Sequence, residues 1–166
     1  PLYYTAEIVK KEHPEAVTVF ISPCVAKRKE AMENNNINYV MTYEELGALF
    51  IAKKIEIAEC EEEKFETESS KQGRNFGVTT GVAEAVKSVM KEPEKAKPYI
   101  ISGLNKDTIK ELKTFAKNKC CPDCNLVEVM CCEGGCIGGN ATINIPRVAR
   151  KQLKTLLDES NDLKPE

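Results

Sequence analysis

No apolar run in these 166 residues approaches the length that crosses a bilayer, and nothing at the start reads as a signal peptide. Tryptophan is absent, no basic tract occurs, and the formal charge is -2, which argues against nucleic acid as a partner. There is no internal repeat, and no initiator methionine precedes Pro1. These absences predict a cytoplasmic chain with no membrane and no nucleic-acid contact, excised from something longer. What remains supports folding: 42% of the residues are hydrophobic, enough for a core, and the length suits one domain over 1–166 or one lobe of a larger one.

Cysteine is plentiful. Eight thiols outside a short secreted scaffold more often bind metal or do redox work than form a disulfide framework. Cys132 and Cys136 sit among four glycines in Glu128-Val-Met-Cys-Cys-Glu-Gly-Gly-Cys-Ile-Gly-Gly139, directly after an apolar run. Glycine admits positive φ and close approach of backbone to a bulky inorganic ligand, with N–H groups turned toward negatively charged sulfur. Upstream, Ser22-Pro-Cys-Val-Ala-Lys-Arg-Lys-Glu30 also follows an apolar run and places Cys24 near its end.

Apolar spacing predicts a helix over 2–12 stopped by His13-Pro14, a strand over 17–21 covered on both faces, and a strand over 37–41. Thr42-Tyr-Glu-Glu45 reads as a capping box opening a helix with the stripe Leu46, Leu49 and Phe50. The segment 56–75 carries seven glutamates and reads as an acidic, flexible excursion. Helices follow on Val82, Val86, Val89 and Met90 and on Ile109, Leu112, Phe115 and Ala116, with strands at 99–102 and 126–130. Pro146 suits the first turn of a last helix with the stripe Val148, Ala149, Leu153, Leu156 and Leu157. Strands alternating with helices predict an α/β fold, a mainly parallel sheet of about four strands flanked by helices. Ligands of such sheets bind beyond the carboxyl ends of the strands, where both cysteine segments fall.

The two segments resemble two of the three signature motifs of the iron-only (diiron) hydrogenase catalytic domain, Pro-Cys-x-x-Lys-x-x-Glu and a Glu-x-Met-x-Cys-x-x-Gly-Cys stretch that runs into glycines. Looser similarity extends through nearly the whole chain, and Phe76-Gly-Val-Thr-Thr-Gly-Val-Ala-Glu84 is similar to the family's glycine-rich strand-to-helix turn beside the cluster. The resemblance implies one lobe of that domain and a 4Fe-4S cubane joined through a cysteine to a diiron unit. Cys24, Cys132 and Cys136 match three of the four cubane ligands, Cys136 being the bridging one. Lys27 would stand beside a cyanide of the diiron unit, Met130 would pack against it, Glu30 would carry protons inward, and Ser22 and Phe76 would flank the cofactor. The implied reaction of the parent is reversible conversion of two protons and two electrons to dihydrogen, an oxidoreductase activity. Its implied partners are ferredoxin or fused iron-sulfur or regulatory domains, maturation proteins, and the N-terminal remainder of the same chain. The fourth ligand and the proton-relaying thiol belong to a motif upstream of Pro1, so the isolated piece is expected to be inactive and without the cluster.

Other features point elsewhere. Ser22 stands where hydrogen-evolving members usually carry methionine, Asn140-Ala-Thr follows Gly139 where further glycines and Gln-Pro are typical, and Cys131 replaces a small residue. These changes are similar to those of a divergent, sensory branch, which keeps the cluster as a hydrogen or redox sensor. Cys121-x-x-Cys124 with Cys132 and Cys136 also offers four thiolates for a tetrahedral zinc site in a structural zinc or iron-sulfur module, against which stand the short seven-residue loop between the pairs and the lack of a role for Cys24. For Cys120, Cys121 and Cys124 a surface disulfide or an accessory cluster shared with a neighbouring domain is also open, and Cys60 reads as an unpaired surface thiol. Lys27 and Glu30 also fit a solvated helix pair, Met130 plain core, and Gly77 and Gly81 plain turn residues.

Overall fold

Helix α1 (Leu2–Glu12) stops just before His13-Pro14, because the residue preceding a proline is pushed out of helical geometry. The computed structural model describes residues 2–63 and 69–162. Its packing forms two units: Pro1–Glu63 with Asn140–Ile143, and Lys64–Gly139 with Asn144–Glu166.

In the first unit, α1 is followed by β1 (Val19–Ser22), α2 (Ala26–Met32), β2 (Tyr39–Thr42) and α3 (Tyr43–Lys53). The strands pair in parallel from Val19 opposite Tyr39 to Ser22 opposite Thr42. Leu2, Ala6 and Ile37 form the core, with Phe20, Ala31 and Val40 packed against it. Strand β1 is not covered on both faces as its composition predicts. Val19 and Ile21 remain 50% and 40% exposed, because alternate residues of a strand point to opposite faces and the core lies on the Phe20 side. The capping box forms as predicted: Glu45 N donates to Thr42 Oγ1 at 3.2 Å while Thr42 N donates to Glu45 Oε2 at 2.8 Å. That backbone bond, helped by the Arg28 guanidinium, holds the Glu45 carboxyl below its ordinary range.

The second unit runs α4 (Lys71–Asn75), α5 (Gly81–Val89), β3 (Pro98–Ser102), α6 (Lys106–Asn118), β4 (Leu126–Met130) and α7 (Pro146–Asp158). Strands β3 and β4 pair in parallel, Pro98 opposite Leu126 through Ser102 opposite Met130. The fold is thus α/β with four parallel strands, but they form two separate two-stranded sheets. The described chain between β2 and β3 is helical or irregular and adds no strand to join them. The acidic segment 56–75 is described in two parts. It contains a 3-10 turn at Ile57–Glu59 and ends in α4, where Ser70 Oγ accepts from Gly73 N at 3.1 Å; its residues 64–68 lie outside the described ones. Among the described residues no helix is long and apolar enough to cross a membrane.

Candidate functional site

Strand β4 delivers its chain directly into the cysteine turn over 131–139, and β3 follows it out, with Gly103 N donating to Met130 O at 2.9 Å and Leu104 N to Cys131 O at 3.0 Å. A second segment, 77–79, fastens the turn. Thr79 N donates to Gly134 O at 3.2 Å, Ile137 N donates to Gly77 O at 3.3 Å, and Val78 bridges Gly135. Ser102 Oγ adds a polar rivet, accepting from Gly134 N at 2.8 Å and lying 2.9 Å from Thr79 Oγ1. Cys136 opens a single 3-10 turn, Cys136–Gly138. Glycine is obligatory at 135: φ is +90°, and a Cβ there would stand 2.5 Å from Gly77 O. The turn therefore holds Cys132, half-buried, and Cys136, exposed, on backbone pinned from two sides.

Glu128 anchors the segment that does the fastening. It is only 4% exposed, and its two carboxylate oxygens accept from Thr80 N at 2.7 Å and Ala83 N at 2.8 Å. Those N–H groups belong to the first turn of α5, where unsatisfied donors and the helix dipole favour an anion. Gly81 allows this entry, since a Cβ on it would fall 1.9 Å from Asn75 O. The sequence places Glu128 inside a motif but gives no sign that its partners lie on α5. Arg150 of α7 was equally silent in the sequence. Its guanidinium lies over Gly134, where a Cβ would come within 1.8 Å of Nη2, and with Arg147, Glu133, Gly138 and Pro146 it lines a cleft of about 510 Å³.

The Cys24 segment belongs to the first unit and is built at the carboxyl end of β1. Buried Ser22 accepts from Cys24 N at 3.3 Å, and Lys27 N donates to Cys24 O at 3.3 Å, so the loop turns immediately into α2. Pro23 O accepts from Ala141 N at 3.3 Å. The hydroxyl of Ser22 is thus a cap of the Cys24 loop. Lys27 pairs with Glu30 one turn along α2, with both side chains about one-third exposed.

The segment at Phe76 departs from expectation. It follows helix α4, not a strand, and among the described residues its strand-like pairing is the single bridge of Val78 with Gly135. The Phe76 side chain lines an apolar cleft with Gly73 of α4 and Ala85, Val86 and Val89 of α5, so it packs the helix pair. Met130 ends β4 half-buried opposite Ser102. The four-cysteine zinc set fails. The residues between Cys124 and Cys132 are mostly strand β4, about 17 Å of extended chain at ~3.3 Å per residue, which puts the two pairs at opposite ends of it. Cys121 and Cys124 are instead joined in a disulfide, and among the described residues no three His, Cys, Asp or Glu side chains gather as a metal site. Cys60 is exposed.

Residues 1–140 match the family model described as iron only hydrogenase large subunit, C-terminal domain. Among solved structures the chain is similar to that of HydA(deltaEFG), which reveals stepwise FeFe-hydrogenase H-cluster assembly, at 16% identity and a TM-score of 0.53. The likeness covers 95% of this chain and 57% of that one, so this chain spans little more than half of that relative's length.

Proposed function

The chain belongs to the family formed by the C-terminal domain of the iron-only hydrogenase large subunit, and from that premise we propose that Cys24, Cys132 and Cys136 supply thiolates to the iron-sulfur part of a hydrogenase cluster. The observation that carries this reading is the cysteine turn at the end of β4, whose backbone is fixed by hydrogen bonds to Gly77, Thr79 and Ser102. The donor chemistry fits: soft sulfur suits iron-sulfur clusters, and a cubane takes four thiolates, one more than these three. When bound, a 4Fe-4S cubane linked to a diiron unit supplies the electron store and metal centre for reversible conversion of two protons and two electrons to dihydrogen.

The surrounding residues have roles of their own. Glu128 and the turn at 77–83 hold the thiol-bearing backbone in place. Lys27 and Glu30 are the cation and the proton-carrying carboxylate, and their mutual pairing makes each the natural counter-charge of the other. Met130 gives a polarizable apolar wall. Electrons would be exchanged with ferredoxin or fused iron-sulfur domains in the cytoplasm, after loading by maturation proteins. Ser22 favours a second reading, in which the cluster senses hydrogen or redox state without turnover, because its hydroxyl is committed to capping the Cys24 loop and leaves no thioether at that position.

The test is iron content in the full-length protein loaded anaerobically. Cys132→Ala should remove most cubane iron, whereas Cys131→Ala should leave it nearly unchanged; the reverse pattern would show that the motif has been registered one residue out. The isolated chain should evolve no dihydrogen from a reduced mediator dye, and measurable evolution from it refutes the assignment of the remaining ligand and relay to other residues.

A further inference from the structure

The disulfide at the opposite end of β4 is unused by this reading. Cys121 and Cys124 are bonded with their Cα atoms 5.5 Å apart, both half-buried, in a loop of otherwise mostly exposed residues, with the exposed thiol of Cys120 beside them. Such a bond closes a ring of only a few residues, so it restrains the unfolded chain far less than a long-range bridge does. Nor is it needed to fix the ends of the loop. On one side Lys119 caps α6 in the left-handed conformation, its N–H donating to Ala116 O at 3.3 Å, and Cys120 N donates to Phe115 O at 3.2 Å. On the other, Asn125 is clamped three times to the chain entering β3: its N–H donates to Lys97 O at 3.1 Å, its Oδ1 accepts from Lys97 N at 2.8 Å, and its Nδ2 donates to Lys95 O at 2.9 Å. Between these fixed ends Asp123 turns the chain with φ of 56°, a left-handed conformation that aspartate adopts more readily than most residues other than glycine.

We propose that Cys121 and Cys124 form a reversible dithiol-disulfide site that exchanges with an external dithiol. A thiolate of the donor attacks one sulfur; the S–S bond breaks, a mixed disulfide forms, and the other cysteine sulfur leaves and takes up a proton. The donor's second thiolate, its proton lost to water, then closes onto the mixed disulfide, which releases the second cysteine to be protonated in turn. The donor is oxidised to its disulfide, and two electrons pass to the pair with two protons. In the oxidising direction a thiolate of the reduced pair attacks the disulfide of an oxidant, whose thiolate leaves, and the second cysteine, its proton lost to water, closes the Cys121–Cys124 bond and releases the oxidant's other thiolate. Opening the ring frees Asp123 and leaves α6, β4 and the Asn125 clamp as they are. The site stands apart from the cysteine turn and depends on neither the family assignment nor any cluster.

The experiment uses the whole chain, freed of metal with a chelator and equilibrated either with glutathione disulfide or with dithiothreitol. It is then alkylated, digested and sequenced by mass spectrometry. The expected result is that labelling of Cys121 and Cys124 falls together at least about tenfold in the oxidised sample, at a mass two hydrogens below the dithiol, and is recovered with dithiothreitol. Far-UV circular dichroism should be the same in both states. Equal labelling of the pair in both samples, separate glutathione adducts on each cysteine, or a ring closed through Cys120 would overturn the proposal. Loss of the folded signal on reduction would also overturn it, by making the bond a structural staple.

Discussion

Glu128 is the single side chain on which the cysteine turn most depends. A buried carboxylate is costly unless its oxygens are satisfied, and here each accepts from a backbone N–H at the start of α5. Replacing Glu128 by Gln keeps the shape but turns an amide NH₂ toward a backbone donor, leaving one buried N–H without an acceptor. The expected cost is about 1–3 kcal/mol, read as a lower denaturant midpoint at unchanged slope. An unchanged midpoint would mean that Thr80 and Ala83 find other acceptors. Gly135 and Arg150 act on the same turn, one by yielding space to Gly77 O and the other by occupying the space above Gly134. None of these three roles is visible in the sequence, because every partner lies on a different element.

Among the elements, α3 has a titratable start. Its capping box depends on the ionised carboxylate of Glu45, which accepts from Thr42 N and meets Arg28. Since the folded carboxyl titrates below its ordinary range, the stabilisation is complete above the pKa of the unfolded chain and disappears as pH falls through the folded value. Thermal melts of wild type and Glu45→Gln should therefore differ most at about pH 7 and draw together as the pH falls through the lowered range in which the folded carboxyl takes up its proton. A gap that is the same at both ends would show that charge has no part in the cap. This box was legible because Thr42 and Glu45 are three residues apart and carry their own signature. The ends of α1 and α7 were legible for the same reason, through Pro14 and Pro146. Asn105 and Thr108 form an equally local box, with Asn105 Oδ1 accepting from Thr108 N at 3.0 Å, and attention to the same spacing would have found it. Helix α4 was masked by the acidic run before it, although Ser70 marked its start. The division of four strands into two sheets was beyond local pattern, since parallel strands declare their apolar character but not their neighbours.

At the scale of the whole chain, apolar surface is conspicuous. No large side chain among the described residues is fully buried, and on one face of the β1–β2 sheet Val19 and Tyr39, paired across the strands, are 50% and 64% exposed beside Ile21. Patches of this kind bind apolar dyes. The folded chain should therefore enhance the fluorescence of anilinonaphthalene sulfonate, and Val19→Thr with Ile21→Thr should reduce that signal with little loss of stability; an unaltered signal would place the dye elsewhere. Connectivity has a further consequence. The first unit is made of Pro1–Glu63 and Asn140–Ile143, and Ala141, only 2% exposed, donates to Pro23 O next to Cys24. Bringing ends so distant in sequence together carries a loop-closure cost on the order of 4 kcal/mol. During synthesis the chain grows from the N-terminus at roughly 5–20 residues per second, so Pro23 waits several seconds for its partner. The ribosome thus delivers Cys24 early and Cys136 late, and the loop around the first thiol is closed only after the turn bearing the last has been translated.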